Sequence, residues 1–220
     1  MINLTNLCKN YPAKPKPVQA LDNISLEVHK GEFIVIQGPS GSGKTTFLLT
    51  LGGMLQPTSG TVVVNNQDIY ALNSSRRAKF RAQSIGFVFQ MFHLLPYLNS
   101  VENVLLATGL DSNPMRKSEA VEFLEQMGLE DRTQHRPAQL SVGERQRTAV
   151  ARALINNPDI ILADEPTGNL DPDNTAQVMN YLNQFHQNDG TVIMATHGSD
   201  ADSFADRIIY LLRGKLVNKI

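Results

Sequence analysis

Apolar and polar residues alternate in two stretches near the start of the chain, Ile2 to Leu7 and Ile24 to Val28, with the Pro- and Lys-rich segment Pro12 to Pro17 between them. This period-two pattern predicts two half-buried strands joined by a loop. Phe33 to Gln37 is different: a compact apolar run that ends in a Gly-rich turn and leads into Thr45, Thr46, Phe47, Leu48 and Leu49. It reads as strand, loop and helix. Short apolar runs recur at Ile160 to Ala163 and Thr191 to Ala195, with a helical pattern from Asp173 to His186 between them. Strands without polar interruption, alternating with helices, predict an α/β fold whose mostly parallel sheet is covered on both faces. From Met91 to Ala153 the patterns at Val101 to Ala107 and Lys117 to Met127 are helical and no strand stands out. A mostly helical lobe is therefore expected at 91–153, inserted between two parts of a sheet domain, 1–90 and 154–220.

A length of 220 residues suits one domain carrying such a lobe better than two full domains. The 41% hydrophobic and 19% charged shares are those of a folded soluble chain, and no uncharged apolar run predicts a membrane-spanning helix. The opening MINLTNLCKN lacks the basic start and apolar stretch of a signal peptide, and the single Cys8 can form no internal disulfide, so a cytoplasmic location is expected. A net charge of -1 supplies no bulk attraction to nucleic acid. Arg76, Arg77, Lys79 and Arg81 form the notable basic cluster, and their helical spacing reads as a solvated face.

The chemistry begins at Gly38 to Thr46, GPSGSGKTT, where Gly38, Gly43, Lys44 and Thr45 have the spacing of a phosphate-binding loop. Glycines let the backbone of Ser40, Gly41, Ser42 and Gly43 approach a polyphosphate, with successive amides and a helix N-terminus aimed at the anion. Lys44 supplies a positive charge to the β- and γ-phosphates of ATP. The Thr45 hydroxyl can ligate Mg2+, and Thr46 can donate to the α-phosphate. Downstream, the run Ile160 to Ala163 delivers Asp164 and Glu165 at the end of a strand, where ligands bind in parallel sheets. Asp164 is the candidate Mg2+ partner and Glu165 the candidate base for the attacking water. Alone, the pair would serve equally well as a solvated acidic strand end. With the phosphate loop it points to nucleotide hydrolysis.

Leu140 to Gln146 reads LSVGERQ, in which Ser141 and Glu144 form a capping box at the start of a helix whose apolar side carries Val150 and Leu154. Here the sequence resembles the ABC ATPases. The resemblance implies a P-loop NTPase fold with an N-terminal antiparallel β subdomain and the inserted helical lobe. It further implies that Ser141, Gly143 and Glu144 face the γ-phosphate held by a second copy of the chain, so that neither copy alone has a complete site. The usual family string is LSGGQ; Val142 replaces a glycine here and Glu144 a glutamine, and a valine requires ordinary backbone geometry at 142. By the same resemblance, Gln90 senses Mg2+ and water and His197 bonds the γ-phosphate. Asp171, in Asn169 to Asp171, crosses the dimer interface, and Tyr11 stacks on adenine.

GFVFQMFHLLP from Gly86, SVENV from Ser100, HRPAQLSVGERQR from His135 and ADEPTGNLD from Ala163 narrow the match. They are similar to the subfamily containing the lipoprotein-release ATPase LolD, the ATPase domain of the macrolide exporter MacB and the cell-division ATPase FtsE. That likeness implies a homodimer driving an integral membrane permease, or an FtsX- or MacB-like subunit, on another chain. Such a motor would sit on the inner face of the cell membrane. Met91, Phe92, Leu94, Leu95 and Tyr97 could receive a coupling helix of that partner or belong to the lobe core, and some of each is expected. The competing reading is a soluble ABC-type ATPase acting on nucleic acid or ribosomes. Against it, the chain has neither a long coiled-coil insertion nor a second cassette.

Overall fold

The computed structural model describes residues 1–109 and 117–217. The first part of the chain contains β1 (Ile2–Tyr11), β2 (Val18–Val28), β3 (Phe33–Gln37), α1 (Lys44–Leu51), β4 (Ser59–Val64), β5 (Gln67–Asp68), α2 (Ser74–Ser84) and β6 (Ile85–Phe89). There follow α3 (Ser100–Leu105), α4 (Lys117–Gln126), α5 (Val142–Leu154), β7 (Ile160–Asp164), α6 (Pro172–Gln187), β8 (Thr191–Thr196), β9 (Arg207–Leu212) and β10 (Lys215–Val217). They build two sheets. One is antiparallel, in the order β2-β1-β4-β5; the other has the order β10-β9-β3-β8-β7-β6, and all its pairings are parallel except that of β10 with β9.

The alternation of side chains along the central strands decides what each face of the six-stranded sheet touches. Phe33, Val35, Ile161, Ala163, Val192 and Met194 point one way, into a core shared with Val101 and Val104 of α3, Leu124 of α4, Val150 of α5 and Val178 of α6. Ile34, Ile36, Ile160, Leu162, Ile193 and Ala195 point the other way, against Phe47, Leu48 and Leu51 of α1 and the inner residues Ile2, Leu4, Val62 and Val64 of the antiparallel sheet. Burial on both faces explains why these strands carry no polar interruption. The helical segment shares one core with the sheet.

The first hairpin is longer than its apolar alternation suggests. Pairing continues through Lys9↔Leu21, Asn10↔Gln19 and Tyr11↔Val18, and register shifts after Leu4 and Leu7 break the period on which the sequence pattern depends. The basic cluster on α2 divides. Arg76 and Lys79 are exposed, whereas Arg77 donates to the Leu72 carbonyl and covers the Tyr70 ring, and Arg81 donates to the Gly53 carbonyl. Of the apolar stretch after β6, Met91 and Tyr97 are exposed and Phe92, Leu94 and Leu95 half-buried. Arg152 of α5 holds this stretch through hydrogen bonds of 2.6 Å to the carbonyls of both Phe92 and His93, two residues in left-handed conformation.

Candidate active site

The site lies at the C-terminal ends of the parallel strands, as expected for this sheet type. After β3 the loop turns through Gly41 and Gly43, whose φ angles of +77° and +109° suit glycine. A Cβ at Gly38 would overlap the Leu211 carbonyl, and one at Gly43 would overlap the Ala20 carbonyl. The loop is thus set against β9 and β2. Gly43→Ala is expected to distort it, lowering nucleotide affinity at least tenfold in a titration with a fluorescent ATP analogue.

α2, α3, α5 and α6 each begin with a side-chain cap, from Asn73, Asn99, Ser141 and Asp171. α1 has none, because its N-cap is Gly43. Its first-turn amides are left for an outside acceptor, and the helix dipole favours an anion there. Lys44 is buried and folds back, donating to the carbonyls of Gly38 at 2.7 Å and Pro39 at 3.3 Å, with its ammonium 3.5 Å from Glu165 Oε1. Ser40, Gly41 and Thr45 are exposed, Gly43 and Thr46 half-buried, and the buried Ser42 hydroxyl has no hydrogen-bond partner.

Asp164 ends β7, and its Oδ1 is likewise buried without a partner. Burial pushes the Asp164 carboxyl above the usual carboxylate range; the Thr45 hydrogen bond opposes this, the Glu165 charge adds to it, and Lys44 opposes it again. Because the folded chain holds this proton more tightly than the unfolded chain, stability falls as pH rises through the interval between the two pKa values. Above that interval Asp164→Asn removes the disfavoured buried charge. Differential scanning calorimetry of the nucleotide-free protein in that pH range should show a Tm above that of the unaltered chain, while hydrolysis is lost.

Glu165 follows with φ +46°, a left-handed backbone that costs a glutamate about 1–3 kcal/mol. Its N–H donates to the Ala195 carbonyl at 2.8 Å, anchoring the residue to β8. Glu165 Oε2 lies 2.6 Å from Nδ1 of His197, whose side chain is 63% exposed. Gln90, just past β6, is also near: a Cβ at Gly168 would stand 3.2 Å from Gln90 Nε2 and 3.6 Å from Glu165 Oε2. Gln90, Lys44, Glu165 and His197 therefore converge on one space.

Ser141, Gly143 and Glu144 form a second group. Ser141 Oγ accepts from the Glu144 N–H at 3.2 Å, and Glu144 Oε2 accepts from the Ser141 N–H at 2.7 Å. Glu144 Oε1 pairs with Arg132 Nε at 2.8 Å. Burial raises the Glu144 carboxyl, but the Ser141 and Arg132 hydrogen bonds outweigh it and hold the group below its ordinary range. Val142 is helical and 41% exposed, so ordinary geometry holds at 142. Among the described residues none of these groups bonds to the phosphate loop. Asp171 caps α6, accepting from the N–H and the amide of Asn174. Tyr11 ends β1, 37% exposed, with the Lys9 ammonium 5.3 Å from its ring centre.

Residues that the motif reading passed over join these groups. The buried Gln146 donates to the Pro166 carbonyl at 2.6 Å, tying α5 to the segment after Glu165. Arg147 and Asn174 link α5 to α6. Asn174 at the N3 position behind an Asp N-cap is the one local signal that could have drawn attention to it.

An uncapped helix behind a glycine loop, a buried lysine and an acid pair on a nearby parallel strand define a P-loop nucleotide hydrolase. A family model described as ABC transporter matches residues 21–168, and the chain belongs to that family. It is 43% identical over 221 residues to the uncharacterized ABC transporter ATP-binding protein YvrO of Bacillus subtilis, covering 99% of this chain and 96% of that one. The lipoprotein-releasing system ATP-binding protein LolD of Syntrophotalea carbinolica is 39% identical over 219 residues, with 98% and 96% covered. The macrolide export ATP-binding/permease protein MacB of Chlorobaculum tepidum is 41% identical over 220 residues, but the match spans 34% of that longer protein. Among solved structures, a dimeric post-hydrolysis state of the ATP-binding cassette MJ0796 bound to ADP and Pi superimposes with a TM-score of 0.94 at 40% identity, covering 99% of this chain and 97% of that one. The chain is an ATP-binding, ATP-hydrolysing subunit of the LolD and MacB type.

Proposed function

We propose that two copies of this chain close head to tail around two ATP molecules, and that closure and reopening move a membrane subunit on a separate chain. The observation that carries this reading is the division of the site. Lys44, Glu165, Gln90 and His197 converge on one space with Asp164 beside them, while Ser141 and Gly143 present donors that bond to none of them. A partner copy turned end for end would join the halves. The dimeric form of the similar MJ0796 cassette supports this arrangement.

In each site the α1 amides from Gly43 onward and the loop backbone from Ser40 to Ser42 hold the phosphates. Lys44 exchanges the Gly38 and Pro39 carbonyls for β- and γ-phosphate oxygens, which also frees Glu165. Thr46 donates to the α-phosphate and Tyr11 offers its ring to adenine. Asp164 and the Thr45 hydroxyl suit a hard cation such as Mg2+: Oδ1 is an orphaned buried oxygen, and such ions take one or two protein oxygens plus substrate phosphates. Mg2+ bound there, with Gln90 completing its surroundings, would neutralise developing phosphate charge. Glu165 accepts the proton of the attacking water, and His197 holds the γ-phosphate from the strand end of β8. The Ser141 hydroxyl and Gly143 amide of the second copy, with Glu144 and Asp171 alongside, complete the shell around that phosphate.

The membrane partner has a candidate seat. A groove of about 370 Å³ runs between α2, β6 and the lobe, with the stacked Phe87 and Phe89, the exposed Met54 and Leu106, and Arg81 and Arg152 along it. Exposed Met91 is next to it in sequence. No helix among the described residues is long and apolar enough to cross a membrane. On this reading the membrane subunit holds the chain at the inner face of the cell membrane. No observation favours a nucleic-acid or ribosomal role, and half of the basic cluster is engaged within the fold. Light scattering in saturating ATP without divalent metal tests the dimer: the mass should double, and a persistent monomer would overturn it. Affinity purification from solubilised native membranes tests the partner, which should be an integral membrane protein.

A further inference from the structure

Gly143 stands on the first turn of α5 with its backbone in the ordinary helical region, so its conformation alone does not call for glycine. Space does. A Cβ there would overlap Oδ1 and Cγ of Asn174. An amide at the tip of a side chain normally swings away at little cost, but this one is held at every polar atom. Its Nδ2 donates to Asp171 Oδ2 at 2.6 Å, its backbone N–H donates to Asp171 Oδ1 at 2.9 Å, and its Oδ1 accepts from Arg147 Nη1 at 2.7 Å. Arg147 Nη1 also reaches Gln177 Oε1 at 2.9 Å. One side chain thus clasps the start of α5 to the N-cap of α6.

We propose that Asn174 is a positioning residue for hydrolysis: it fixes the Ser141 and Gly143 donors and the Asn169–Asp171 loop as one rigid face toward the partner's nucleotide. Glycine is required at 143 because the clasped amide occupies the place of a Cβ. The inference rests on the head-to-tail reading above. It differs from a requirement for close phosphate approach, because removal of the Asn174 amide would then relieve Gly143→Ala, whereas a clash with phosphate would persist.

The test compares Asn174→Ala, Gly143→Ala, the double variant and Ser141→Arg with the unaltered chain. The readouts are kcat, KM for ATP, ADP affinity of the monomer, and Tm. Asn174→Ala should lower kcat about tenfold and leave ADP affinity unchanged, since the phosphate loop belongs to the other half-site. Gly143→Ala should lose about a hundredfold, and the double variant should recover about tenfold over it, a non-additivity expected of side chains in contact. Wild-type kcat in Asn174→Ala, or no recovery in the double variant, overturns the proposal. If Ser141→Arg hydrolyses normally, the two-copy reading itself falls; if Ser141→Arg is inactive while Asn174→Ala is unimpaired, only the positioning role falls. Should the alanine variant fail to fold, Asn174→Ser vacates the same space and keeps a hydroxyl for Asp171. It must then produce the same recovery of Gly143→Ala.

Discussion

Glu165→Gln should bind ATP as the unaltered chain does and turn it over about 10²–10⁴ times more slowly. The amide preserves the size of the side chain, so the left-handed backbone at 165 and its anchor on Ala195 remain. What it lacks is a site for the proton of the attacking water. Lys44 also loses the negative partner that lies 3.5 Å away, so its transfer to phosphate oxygens is not impeded. The measurement pairs steady-state phosphate release with size-exclusion chromatography in ATP. A stable dimer with almost no release is expected. Retention of turnover within tenfold of the unaltered chain would remove Glu165 from the role of base.

Ser141→Arg tests the other half of the site and should be equally severe. The native hydroxyl accepts from the Glu144 N–H, and losing that cap costs about 1 kcal/mol of helix stability, a small part of an ordinary domain's total. The larger consequence is a bulky cation at the start of α5, on the face proposed to meet the second copy. Hydrolysis should drop below about 1% and the ATP-dependent dimer should not form, while ATP still binds each monomer. Ser141→Ala, which loses the cap without adding bulk, should fall between. Hydrolysis at the normal rate in the arginine variant would mean that each chain works alone.

Much of this was legible in the residues, and the remainder has identifiable causes. β3, β7 and β8 stood out because burial on both faces removes polar interruptions; the same burial places Lys44, Asp164, Glu165 and His197 directly at or just beyond apolar runs. β5 is two residues long, too short to show any period, and β4 opens with the exposed Ser59 and Gly60 before its valines begin. The function of Asn174 was not legible for another reason. Its position relative to Gly143 is set by the packing of α5 against α6, and the two residues are remote in sequence. The ion pair of Lys44 with Glu165 is likewise a tertiary event, arising from the approach of β7 to the phosphate loop.

The grip of Arg152 on the carbonyls of Phe92 and His93 gives α5 the character of a lever. The helix is unbroken from its Ser141 cap to that arginine, a span of roughly 16 Å at the α-helical rise. A force applied beside Met91 therefore reaches one arm of a stiff rod whose other arm ends at Ser141 and Gly143, the donors proposed for ATP. A tilt of about 4° would carry that far end about 1 Å over such a length, the scale on which a hydrogen bond is made or lost. On the proposed reading, mechanical load and chemistry would be geared together through this single helix.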